Sequence, residues 1–479
     1  MGQIAVRPQP DVSIQIKSFK WTTFYQILIL VVFLGTAFDN MDQVTCSFIL
    51  PMMRMEWHLN YIEGSYMPAF ALLGTCVGAI FWGTIADRIG RNRALIYTVL
   101  LFSATNLIQT HSWNYIQFTI TCFFMGVGVG GEIPLAFTML SEFLPAHLRT
   151  RTELVIGILA IVLGYAFSAV SAHFLLPIAG WKSLFYVQAL PALLVVVIRF
   201  QLPESPRWLR SVGREAAARQ VASEVKCRTG KYDPLEDSEE GLLVVNSRRS
   251  PIEGLRLLWR GIYLRRTAAN WLFGFCIGFF EFGFIIWLPT TLKNLGYSDA
   301  QSINYPMLIN FFAIPSVFVA LYLLRKDGSK LILTLYPLIA GISMLILGFF
   351  LPQVAAQPVV LVLVGGVIFF FGTTLSGIFP PYSSEIYPTE IRGTGAGWSS
   401  GLTRVGSFIG PLTGGVLLDL GVPARYEILL FGIPLLIGAL VMSAYGVQTH
   451  NRTLENISPP LRLKTTELED KILLHFSQK

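Results

Sequence analysis

Between Phe24 and Gly446 the chain alternates long apolar runs with short polar punctuation. Twelve runs, at 24–50, 63–85, 94–112, 115–141, 153–176, 182–201, 267–290, 301–324, 330–351, 357–382, 394–418 and 425–446, are about the length a helix needs to cross a ~30 Å hydrocarbon core. Only helices and closed barrels satisfy every backbone polar group inside lipid, and runs of this length indicate helices. The pattern predicts an all-α membrane protein with twelve transmembrane helices. One stretch breaks the rhythm. Residues 202–266 contain "SEVKCRTGKYDPLEDSEEGLLVVNSRRS", too charged to span. The expected organisation is therefore an N-terminal six-helix half (1–201), a central loop (202–266), a C-terminal six-helix half (267–446) and a polar tail (447–479).

Composition agrees with the pattern. Of 479 residues, 53% are hydrophobic and 14% charged, against about 25% charged in a soluble domain. The net charge of +7 is distributed unevenly. Loops on one side carry Arg88, Arg91, Arg93, Arg149, Arg151, the basic central loop, Arg325, Lys326, Lys330 and Arg392, and those opposite carry only Arg54, Lys182, Lys293 and Arg425. The positive-inside rule places both termini and the central loop in the cytoplasm. Topology accounts for the basic charge without a nucleic-acid partner. No short apolar region with a cleavage site opens the chain, so the first span is expected to act as its own insertion signal. The five cysteines, Cys46, Cys76, Cys122, Cys227 and Cys276, form no CxxC pattern. Free thiols are expected, with no metal site and no cofactor. The sequons at Asn451 and Asn456 fall on the predicted cytoplasmic tail and are discounted.

The two halves repeat one another. "TMLSEFLPAHLRTR" (138–151) aligns with "PYSSEIYPTEIRGT" (381–394), matching Ser141 to Ser384, Glu142 to Glu385, Pro145 to Pro388 and Arg149 to Arg392, all at one offset. Pro191 and Pro434 share it. "ADRIGRNR" (86–93) and "RKDGSKL" (325–331) form a weaker pair. Parallel repeats of this kind mark transporters, whose substrate sites lie near the bilayer midplane.

"GTIADRIGRNRAL" (83–95) resembles the loop motif of the major facilitator superfamily, and "PESPRWL" (203–209) resembles the mark of its sugar and organic-ion porters. "FDNMD" (38–42), "GVGVGGEIP" (126–134), "SEFLP", "WLP" (287–289), "YPTEIRGTG" (387–395) and "GLTRVGSFIGPL" (401–412) are similar, in order, to the niacin-transporter branch and its metabolite–proton symporter relatives. The resemblance spans nearly the whole chain. It implies a proton-coupled importer of a small organic acid, acting as a monomer in the inner membrane. It also implies that the loop motif (Gly83, Asp87, Arg88, Gly90, Arg91) and the pairs Glu142–Arg149 and Glu385–Arg392 latch helix ends during gating. The glycines would permit close approach and a tight turn. Two departures stand out. Cys122 occupies a position where many relatives carry an arginine linked to proton coupling, and Glu281 stands where a neutral aromatic is expected.

Charged side chains inside a bilayer are expensive and mark function. Asp39 and Asp42, three residues apart in the first span, share a helical face. With Glu132 and Glu281 they are the candidates for proton coupling; the alternative is a fixed structural bridge from one aspartate to Arg404. Arg404 is the one Arg or Lys well inside a predicted span, and its guanidinium suits a substrate carboxylate. Asn270 and Asn310 are further polar candidates for substrate binding. Trp287 and Tyr382, with Phe38 and Trp398, are candidates to stack on a flat ring. "GVGVGG" lacks the lysine and preceding strand of a phosphate loop and reads as a helix-contact and hinge segment. No paired nucleophile and base argues for an enzyme. The competing readings are a porter of a sugar, organic cation or exported drug, and a transporter-like sensor.

Overall fold

The computed structural model describes residues 22–144, 146–229, 251–388 and 391–449, apart from a few side chains within its helices, Arg149 among them. The sequons at Asn451 and Asn456 and most of the central loop's acidic run lie outside the described residues. The helices are α1 (Thr23–Glu56), α2 (Tyr61–Ile89), α3 (Arg91–Gln109), α4 (Tyr115–Phe143), α5 (Ala146–Ala179), α6 (Lys182–Gln188), α7 (Ala192–Gln201), α8 (Pro206–Ser211), α9 (Glu215–Thr229), α10 (Pro251–Leu258), α11 (Gly261–Asn294), α12 (Asp299–Phe311), α13 (Ala313–Lys326), α14 (Ser329–Phe349), α15 (Leu351–Ala355), α16 (Pro358–Gly372), α17 (Thr374–Glu385), α18 (Arg392–Asp419) and α19 (Ala424–Tyr445).

Each expected span is helical, and among the described residues nine helical segments are long and apolar enough to cross a membrane. α3 is long enough but buries Asn92, Thr98, Ser103, Thr105, Asn106 and Gln109, so it lowers its apolar content for an interior polar face. α18 likewise carries eight glycines and Arg404. Three expected spans are broken. The run at 182–201 splits at Pro191, which lacks an N–H, and i→i−3 bonds from Leu190 to Val187 and from Ala192 to Ala189 bridge the gap. The run at 301–324 breaks at Phe312, because Pro315 has no donor for the Phe311 carbonyl. The run at 357–382 breaks at Thr373, beside Gly372, the poorest helix former after proline. By contrast α4 runs unbroken through Pro134.

Residue contacts divide the chain into two compact units, one of residues 1–245 with 286–307, the other of 246–285 with 308–479. In the first unit α2 lies along α4, and Gly74 and Gly78 meet the backbone of Phe123 and Val127 while Gly126 and Gly130 meet that of Ala71 and Thr75. Small residues four apart on both helices thus permit the close crossing read from "GVGVGG". A reciprocal capping box starts α2: Asn60 accepts from Glu63 N at 2.7 Å and Glu63 accepts from Asn60 N at 3.0 Å. α8 and α9 pack Trp208 and Leu209 onto Ala218 and Ala222. In the second unit α14 runs along α19, and rings interlock between α11 and its neighbours, Phe273 with Phe379 at 5.3 Å and Phe279 with Phe431 at 5.4 Å.

Candidate functional site

α1 aims two carboxyls inward. Asp39, Asp42 and, from α4, Glu132 are 0%, 2% and 2% exposed. One turn before Asp39, Gly35 lacks the Cβ that would collide with Glu132 Oε1, and the Glu132 carboxyl occupies that space. Asp39 and Glu132 hydrogen-bond to one another, a bond between two carboxyls that requires a proton on one of them. Apart from Glu132, no described group donates to either Asp39 oxygen. Asp42 has a different partner. Asn106 Nδ2 of α3 donates to its Oδ2 at 2.9 Å and reaches the Gln188 carbonyl at 3.3 Å. The Gln188 amide donates to Thr45 Oγ1, which also meets Ser168 Oγ at 2.8 Å. This chain of polar contacts joins α1, α3, α5 and α6 in the bundle interior. Among the described residues of this unit no arginine or lysine acts on these three carboxyls; the ionisable groups that do are each other and Cys46. At Cys122 the sulfur accepts weakly from Gln109 Nε2 at 3.7 Å, so a neutral thiol stands where the resemblance leads one to expect an arginine.

The second unit buries its own acid. Glu281 of α11 is 4% exposed, and Ser376 Oγ donates to its Oε2. The break at Thr373 presents this stretch: Thr374 Oγ1 meets Ser316 Oγ at 2.6 Å, and Ser376 follows half a turn later. Asn270 donates to Ser383 Oγ at 2.7 Å and Ser399 Oγ at 3.0 Å. Asn310 is buried and Arg404 half-buried, midway along α18. The aromatic candidates of this unit are engaged elsewhere. Tyr382 accepts from Val447 N at 2.8 Å, beyond the end of α19, and Trp398 stacks on Trp271 at 5.6 Å with nearly half its surface exposed. In the first unit Trp287 is fully buried against the Tyr61 ring, 6.0 Å away.

The helix ends follow the expected latch in part. Arg91 NH1 pairs with Asp87 at 2.7 Å, and its Nε lies 3.8 Å from Glu142. Asp87 is 70% exposed, so that pair contributes on the order of 0–1 kcal/mol. Arg88 is exposed. A side chain at Gly83 would meet open space, which removes the close approach expected there. Glu142 turns to Ser205 and Arg91; its expected partner Arg149 lies among the undescribed side chains. Glu385 has Thr449 and Arg392 beside it, and Arg392 Nε donates to the Tyr387 carbonyl at 3.4 Å.

The strongest contact here involves a residue not singled out from the sequence. Glu204 Oε1 accepts from the backbone N–H groups of Arg91, Asn92 and Ser205 at 2.8, 3.0 and 3.0 Å. It caps the positive end of α3 from across the fold. The signal was "PESPRWL", whose acid directly precedes a helix start. Gly90 makes the cap possible. Its φ of +105° suits glycine, and a Cβ would strike the Glu204 carboxylate. Gly90→Ala is therefore expected to cost about 1–3 kcal/mol from backbone strain alone and to lower the melting temperature of the purified protein. Unchanged melting would mean that the cap tolerates the side chain.

Membrane-crossing helices in two repeats, with carboxyls and amides held on interior faces, define a transporter of the major facilitator type. The chain belongs to the sugar (and other) transporter family, whose model matches residues 46–460. It is 30% identical over 448 residues to the niacin transporter NiaP of Acinetobacter baylyi, covering 93% of this chain and 99% of that one. It is 27% identical to the 4-hydroxybenzoate transporter PcaK of Pseudomonas aeruginosa, covering 88% and 93%. Its fold matches the partially occluded, inward-open xylose transporter XylE of E. coli with a TM-score of 0.72 at 18% identity, covering 90% and 100%.

Proposed function

We propose that the protein imports a small organic acid, nicotinate-like or an aromatic carboxylate, by proton symport across a bacterial inner membrane, as a monomer with both termini cytoplasmic. The observation that carries this reading is the Asp39–Glu132 pair, buried and hydrogen-bonded, with no cation acting on it among the described residues of its own unit. Two carboxylates in that setting repel one another, and a proton shared between them relieves the repulsion. A site that is most stable with one proton is suited to carrying it. Asp42, held by Asn106, orients the α1 face. Arg404 supplies the charge that attracts a carboxylate, with Asn270 and Asn310 as polar candidates in the same unit. The relatives named for niacin and hydroxybenzoate support an aromatic acid. Glu281 favours a second reading, a cationic or zwitterionic solute, because it adds a buried acid in the second unit.

The test is uptake into proteoliposomes with an imposed pH gradient, acid outside, using labelled nicotinate, benzoate and 4-hydroxybenzoate against xylose and a quaternary amine. Accumulation of a carboxylate that collapses with a protonophore is the expected result. Accumulation of the amine alone would replace this reading with the second.

A further inference from the structure

We propose that the second unit carries a site for an anionic phospholipid headgroup, built on a ladder of three tryptophans where α10 turns into α11. The segment "LRLLWRGIYLRRTAANW" (255–271) holds four arginines and no acid. A turn closed by Arg260 N to Leu257 O joins the two helices, and Gly261, at φ +55°, opens α11. Trp259 meets Trp271 edge-on at 5.2 Å, and Trp271 stacks on Trp398 of α18 at 5.6 Å and 24°. The outer rungs are open: Trp259 is 42% and Trp398 46% exposed. The middle rung is not. Its indole N–H is buried without a hydrogen-bond partner among the described residues, a group that demands an acceptor.

Charge and polarity suit a phosphodiester. Arg256, Arg260 and Arg265 are exposed, whereas Arg266 turns away toward the Tyr263 ring, 5.8 Å off. Ile262 and Leu264 beside them are also exposed apolar groups, which in a bilayer face acyl chains. Indoles settle at the level of the headgroup and glycerol ester, half apolar and half wet. Guanidinium groups hold phosphate through paired N–H donors. The exposed edges of Trp259 and Trp398 would sit at the level of the ester, and Arg260 and Arg265 would hold the phosphate. In the topology proposed above this end of α11 meets the cytoplasmic leaflet, where anionic lipids attract basic residues. A zwitterionic headgroup would set its own cation against these arginines and is disfavoured.

The experiment is lipid retention by the full-length protein. It is purified from liposomes of equal phosphatidylglycerol and phosphatidylcholine content, and the bound lipid is quantified by mass spectrometry. The wild type is expected to retain phosphatidylglycerol preferentially. Arg260→Gln and Arg265→Gln should each cut that preference by about fivefold, Trp259→Ala should reduce it by removing an exposed rung, and Arg214→Gln, at an exposed site elsewhere, should leave it unchanged. Equal retention of both lipids by the wild type overturns the proposal, as does a preference that survives both arginine substitutions. The readout is independent of transport, so it stands or falls apart from the proposed substrate.

Discussion

Proteoliposomes containing Asp39→Asn protein are expected to let substrate equilibrate but not to concentrate it, whatever pH gradient is imposed. With one proton per substrate, each unit of pH gradient supports up to about tenfold accumulation, and the variant should lose all of it. An amide cannot release a proton, and against Glu132 it supplies a fixed donor in place of the exchangeable one. Substrate exchange in counterflow needs no net proton movement and should survive. Glu132→Gln should behave the same way, because the two carboxyls share a single proton-dependent bond. Asp42→Asn should differ. Asp42 accepts from Asn106; an asparagine there keeps one acceptor oxygen but loses the charge that strengthens the bond, which loosens the α1–α3 contact without touching the shared proton. Weaker substrate affinity with accumulation retained is the expected result there. Measured side by side, the three variants separate coupling from scaffolding. Undiminished accumulation by both Asp39→Asn and Glu132→Gln would move the proton site to Glu281, the buried acid of the second unit, whose Oε2 accepts from the Ser376 hydroxyl.

The spans were legible because lipid imposes a length and a composition that no neighbouring helix alters. So was the repeat, and with it the correspondence of Glu142 and Glu385: the structure gives each a hydroxyl partner from the segment after its half's last span, Ser205 and Thr449. Pairings between distant residues were not legible. Spacing put Asp39 and Asp42 on one face, yet the hydrogen-bond partner of Asp39 is Glu132, on a different helix, admitted by the missing side chain of Gly35. Asn106 and Gln188 looked like ordinary polar residues near span ends; only packing shows that they reach the centre of the unit. The aromatics misled for a related reason. An indole or phenol near a helix end can bind a ligand, stack on a neighbour or tie down a strand of backbone, and Trp398 and Tyr382 do the latter two. Helix breaks were not read from the sequence, where 182–201 and 301–324 stood as single spans: prolines account for those at Pro191 and Phe312, while Pro134 sits in an intact helix.

A double-cysteine variant, Tyr61→Cys with Asn294→Cys, is expected to lose net uptake on mild oxidation and recover it on reduction. In the first unit Tyr61 opens α2, with the Arg54 guanidinium 3.2 Å above its ring and its hydroxyl donating to Asn294 Oδ1 at 3.3 Å. Trp287 backs the same ring, and Lys293 lies 3.7 Å from Met55 Sδ while pairing with Asp299 at 2.8 Å. These contacts fasten the end of α11 to the α1–α2 turn within the first unit. The contacts are of the kind that can open: a cation over a ring, one long hydrogen bond and a partly exposed ion pair are each worth about 1 kcal/mol or less at a wet surface. A transporter that exposes its site alternately to each side must break one such closure in every cycle, and a covalent bond here would prevent it. Each single-cysteine variant should transport through the same treatment, and oxidised double-variant protein should still bind substrate. If oxidation links the two cysteines completely and uptake continues at its former rate, the Tyr61–Asn294 contact persists throughout the cycle and the closure that opens lies elsewhere.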